Sequence, residues 1–115
     1  MIKRFVHYQE QYAQLGKLRW SVPRLIELSK DLEVMNIPLS HINMMITYEE
    51  LTLRELAGHM RAVLDADLSY PIILDEDGEI MDGRHRLMKA ILNRESTIKA
   101  VRFDVNPSCC EKTTE

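Results

Sequence analysis

The segment Ile80-Met81-Asp82-Gly83-Arg84-His85-Arg86-Leu87 constrains the fold most, because its local chemistry changes twice within a few residues. Glu79-Ile80-Met81 is strand-like and Asp82-Gly83 is a turn dipeptide. Leu87, Met88, Ala90, Ile91 and Leu92 then supply the inward face of a helix from about Arg84 to Asn93. A strand that turns directly into a helix leaves the first helical N–H groups unpaired, with positive partial charge, at the edge of a sheet. Gly83 either admits a ligand close to the backbone or lets the chain take a positive φ. Arg84, His85 and Arg86 add cationic donors where the helix dipole disfavours them. A bound phosphate offsets that cost, since it accepts backbone and guanidinium hydrogen bonds together. The plainer reading makes Asp82 the N-cap, leaves Arg84 and Arg86 solvated and packs His85 on a neighbour. These five residues alone fit both.

The rest of the chain supplies the frame. Phe5, Tyr8, Tyr12 and Leu15 recur at helical spacing, with Gly16 as a C-terminal stop. A second helix is expected from Ser21 to about Asp31, with Ser21 as N-cap and Pro23 in the first turn. Val22, Leu25, Ile26, Ser29 and Leu32 form its docking face, and Trp20 anchors it. Val34 to Leu39 reads as a strand, with Pro38 confining it to a sheet edge or a strand end. Ser40–Glu50 lacks a period and is expected to be an irregular connection bordering the ligand cleft. Thr52-Leu53-Arg54-Glu55 has capping-box form and opens a helix. Its expected buried stripe is Leu53, Leu56, Ala57, Met60, Val63 and Leu64, with His59 an ordinary histidine. Pro71–Leu74 and Glu79–Met81 form a hairpin around Asp77-Gly78, a type I′ pair. Thr97–Asp104 closes the unit as a strand.

At 115 residues this is one domain. Its 15 Lys+Arg against 18 Asp+Glu give a formal charge of -3, which offers no general attraction for nucleic acid. Cys109 and Cys110 are adjacent, so they fit neither a fold-stapling disulfide nor zinc spacing, and they read as reduced thiols in a frayed tail. Neither a signal-peptide-like stretch nor a run of membrane-spanning length occurs in the sequence, so a cytoplasmic location is expected.

From Ile37 to Phe103 the order of elements resembles the N-terminal domain of ParB partition proteins and the wider ParB/sulfiredoxin-like superfamily. The matching parts are Ile37-Pro38-Leu39, the Leu53–Leu64 helix, Tyr70-Pro71-Ile72-Ile73-Leu74, Asp82–Leu87 and Ile98–Phe103. The resemblance implies an α/β (α+β) fold: a small mixed sheet, a strand-turn-helix phosphate site and, here, extra N-terminal helices. It divides the chain into a helical extension (1–36), the core (37–105) and a flexible tail (106–115). In that superfamily the turn binds nucleotide phosphates. Partition proteins carry a Gly-Glu-Arg-Arg-type motif and use CTP. Free serine kinases carry Asp-Gly-His-His-Arg and use ADP or ATP, and sulfiredoxin carries Gly-Gly-Cys-His-Arg and uses ATP. The resemblance therefore implies that Gly83, Arg84, His85 and Arg86 hold the phosphates of ATP, ADP or CTP, with Asp82 on magnesium.

The departures limit the chemistry. Arg84 stands where sulfiredoxin has its nucleophilic cysteine, and Met44-Met45 stand near the His-Glu pair that supplies the kinases' base. Asp82, Glu49 and Glu50 are the remaining catalytic candidates. The expected function is a nucleotide- or phosphate-binding switch or adaptor that meets a protein partner through its N-terminal helices. The alternatives are a phosphotransferase or hydrolase like the serine kinases, with a phosphorylated small molecule as substrate, and a DNA-partition module, though not one binding DNA alone. No membrane partner is expected.

Overall fold

Ile98 and Ala100 point to one face of their strand and Val101 points to the other, and all three are buried. A strand covered on both faces belongs inside a sheet with layers above and below. In the computed structural model, which describes residues 12–15, 18–45, 50–108 and 111–112, that is where it lies. The sheet has strands β3 (Met35–Pro38), β4 (Ile72–Leu74), β5 (Ile80–Asp82) and β6 (Thr97–Arg102), in the order β3-β6-β4-β5. β6 runs antiparallel to β3, with Ile37 opposite Ile98, and parallel to β4, with Ile72 opposite Ala100. The chain is thus mixed α/β, with a small mixed sheet. Pro38 ends the edge strand β3, as its missing N–H requires.

One face of the sheet is covered by α3 (Arg84–Leu92), whose Leu87 and Ala90 pack with Ile72, Leu74, Ile80, Ile98 and Ala100. On the other face Trp20 and Leu25 pack with Ile73, Met81, Val101 and Phe103. Leu25 belongs to α1 (Val22–Leu28), which Ser21 caps by accepting from the Arg24 N–H. Ile26, assigned to the docking face, is exposed, while Val22, Leu25 and Ser29 are buried.

Of the two helices expected before β3, only α1 lies among the described residues. The described end of the other is a strand, β1 (Tyr12–Leu15), paired antiparallel with β2 (Leu18–Ser21); residues 1–11 lie outside the described part. β2 also pairs with β7 (Glu111–Lys112), so this stretch of the expected tail joins a second, three-stranded sheet. The Trp20 indole N–H donates to the Pro107 carbonyl at 2.9 Å, which ties the same stretch to the body. Cys109 and Cys110 lie outside the described residues.

α2 (Leu53–Asp65) has the expected capping box, but its apolar stripe is not buried. Leu53, Met60 and Leu64 are 86%, 60% and 63% exposed, and Val63 alone on this helix is buried. The helix leans on α3 rather than on the sheet. Ile91 and Leu92, expected to face inward from α3, are exposed.

The hairpin turn also differs in type. The Gly78 N–H bonds the Asp75 carbonyl at 2.9 Å, so Glu76 and Asp77 are the central turn residues and Gly78 follows at φ 84°. A type I′ turn needs positive φ at Asp77 as well, which it lacks. The buried Asp75 side chain, accepting from the Asp77 and Glu79 N–H groups at 2.8 Å, holds the turn instead. Among the described residues no helix is long and apolar enough to cross a membrane.

Candidate functional site

β5 and α3 are joined by one residue. Gly83 takes φ 107°, in the left-handed region, and a Cβ built on it falls 2.5 Å from Ile72 Cγ2. Glycine is thus required here both by dihedral and by space. A register shift between Ile73 and Leu74 on the neighbouring strand sends β5 into this turn at the sheet edge.

The α3 N-terminus differs from those of α1 and α2. Ser21 and Thr52 each give a side-chain oxygen to a free N–H of their helix, whereas Gly83 has none to give; the first turn of α3, like that of α1, contains no acid. Asp82 does not cap. Its Oδ2 accepts from Arg86 Nη2 at 3.0 Å, an i,i+4 ion pair with the side chains only 20% and 23% exposed. Arg86 Nη2 also reaches the Pro71 carbonyl at 3.4 Å, and its Nε is buried without an acceptor. Arg86 is therefore a strut between α3, β5 and the entry to β4, not the solvated arginine of the plainer reading. Arg84 is exposed at the turn, and His85 is half-buried.

The sequence reading missed His59. From the middle of α2 its Nδ1 lies 2.8 Å from His85 Nε2, with ring centroids 5.0 Å apart. One ring nitrogen donates and the other accepts, so the pair accommodates at most one extra proton before two N–H groups face each other. Burial, and then the charge of His59, push the His85 imidazole below its ordinary value, as Arg86 does more weakly; Asp82 pulls the other way. Lys89, a turn further along α3, donates to the Leu64 and Ala66 carbonyls at 2.9 and 2.7 Å and closes the end of α2. His59–His85 and this cap fix the register of the two helices.

This geometry has a measurable pH consequence. Because the folded state holds His85 below its unfolded value near 6.5, the unfolded chain binds that proton more tightly. Stability is then lost as pH falls from 6.5 through the lower folded value. Glu55, lowered by its hydrogen bonds to Thr52, and Asp67, lowered by Ser69, lose their contributions only below 4.5 and 3.8. Urea midpoints between pH 7 and 5 are expected to fall for the parent and to fall less for His85→Gln. Equal slopes would show that His85 does not titrate differently on folding.

The remaining candidates do not converge here. Glu49 lies outside the described residues and Glu50 is exposed in the lead to α2. Asn43 Nδ2 donates to Glu79 Oε1 at 3.2 Å. That ties the described part of the 40–45 connection to the opposite end of β5, about 13 Å along the strand from Gly83. Asp82 Oδ2 is engaged by Arg86, and among the described residues no group of three or more His, Cys, Asp or Glu is placed together.

No protein-family model, curated protein or solved structure matches the chain.

Proposed function

We propose that this chain is a ParB/sulfiredoxin-like domain that binds a nucleotide, ATP, ADP or CTP, through its phosphates at the Gly83 turn. The observation that carries the reading is the uncapped N-terminus of α3, whose first turn contains Arg84, His85 and Arg86. Free N–H groups and the exposed Arg84 share that first turn. Gly83 and the N–H groups of residues 84–86 cradle a phosphate, Arg84 closes on it from solvent, and His85 donates when the histidine pair carries its proton. Arg86 holds the turn in shape, and magnesium bound through Asp82 has no part in this reading. With no base at Met44-Met45, binding without turnover, as in a switch or adaptor, is the primary function.

One observation favours a second reading. His59 places a hydrogen-bonded imidazole pair beside the proposed phosphate site, and imidazole is the side chain suited to moving a proton near neutral pH. A phosphotransferase or hydrolase would draw its base from His59–His85, not from Glu49 or Glu50.

The test is a thermal-shift titration of the parent and of Arg84→Ala with ATP, ADP, CTP and GTP. One nucleotide is expected to raise the melting temperature in proportion to the logarithm of its concentration. Losing one charge-assisted hydrogen bond, about 1.5–3 kcal/mol, should weaken binding ten- to a hundredfold in Arg84→Ala. Equal shifts in the two proteins would remove the phosphate from this turn. Turnover in the parent that disappears in His59→Gln with binding intact would establish the enzymatic reading over the adaptor.

A further inference from the structure

We propose that the apolar face left open by α2 and α3 is where a second copy of this chain docks. On α2, Leu53, Leu56, Met60 and Leu64 recur every three or four residues, forming one stripe along the helix. α2 meets the rest of the chain on a different side, through Val63, His59 and the carbonyls that Lys89 caps. The described residues therefore leave the stripe uncovered, and it runs on into Ile91 and Leu92 of α3. Between the helices lies an open groove of about 330 Å³, walled by Met60 and Leu64 on one side and Met88 and Ile91 on the other.

The size of this face decides what fits it. At their observed exposures the six residues leave roughly 600–700 Å² open, at or above the largest apolar patch of an ordinary monomer. It is close to the ~800 Å² that each partner gives to a standard interface. A short peptide would leave much of it wet. A surface of the same extent covers it fully, and this chain presents one.

Sedimentation of the full chain from micromolar to submillimolar concentration tests this. The parent is expected to form a concentration-dependent dimer. Leu53→Glu and Met60→Glu occur twice per dimer and should each weaken it more than about tenfold. Leu53 is 86% exposed, so its variant keeps the parent circular dichroism spectrum and serves as the folding control. A parent that stays monomeric throughout, whether residues 1–11 or an unrelated protein covers the face, overturns the proposal. So does a dimer that survives both Leu53→Glu and Met60→Glu.

Discussion

Gly83→Ala is expected to lower the unfolding free energy by about 2–4 kcal/mol, the sum of a left-handed backbone penalty near 1 kcal/mol and overpacking of 1–3 kcal/mol. The new methyl would sit 2.5 Å from Ile72 Cγ2 and 2.9 Å from Ile72 Cβ, and Ile72 is wholly buried in the sheet. It would also lie 3.0 Å from Arg86 Nη2, the nitrogen that holds Asp82. Relief by moving either neighbour disturbs the core or the ion pair. Gly78→Ala provides the control. Gly78 also has positive φ, at 84°, but a Cβ there comes no nearer than 3.9 Å to its surroundings. Only the backbone penalty of about 1 kcal/mol applies there. Urea midpoints of the two variants should separate them clearly. Equal losses would mean that the crowding at Ile72 relaxes freely and that glycine is needed for φ alone.

Trp20→Ala should cost more, about 3–5 kcal/mol, the range for emptying a large aromatic site. Trp20 is 1% exposed, fills the layer between α1 and the sheet beside Ile73, Val101 and Phe103, and donates to the Pro107 carbonyl. Against a total of about 5–15 kcal/mol, the variant would be marginal at ambient temperature. Trp20→Phe keeps a ring in the site and loses the N–H, which is worth about 1 kcal/mol. Hydrogen exchange should then show the 106–108 stretch loosening in Trp20→Phe while β4 and β6 remain protected. Loss of protection across the whole sheet in Trp20→Phe would show that packing, not the bond to Pro107, fastens that stretch.

Local chemistry was legible and distant register was not. Ser21 and Thr52 declare their caps within three residues, and the strand-glycine-helix change at Asp82–Arg84 declares the turn. The spacing of Asp82 and Arg86 also permits an i,i+4 pair, but an N-cap aspartate satisfies the same short string. Only the three-dimensional path, with Gly83 itself at the cap position, decides between them. Tyr12 and Leu15 are spaced like a helical turn, and four residues carry too little periodicity to reveal the strand they form. On α2 the periodicity correctly gave a helix and an apolar face, but periodicity cannot say whether anything covers that face. His59 meets His85 because two helices align at a particular register, 26 residues apart in sequence, and no local signal encodes that.

The most direct test of the anion site is a ¹H–¹⁵N amide titration of the full chain with inorganic phosphate and then with each nucleotide. Saturable shifts are expected to be largest for the N–H groups of Gly83, Arg84, His85 and Arg86, with His59 following through its bond to His85. Shifts that do not saturate, or that centre on another surface while residues 83–86 stay still, would contradict a phosphate site at this turn.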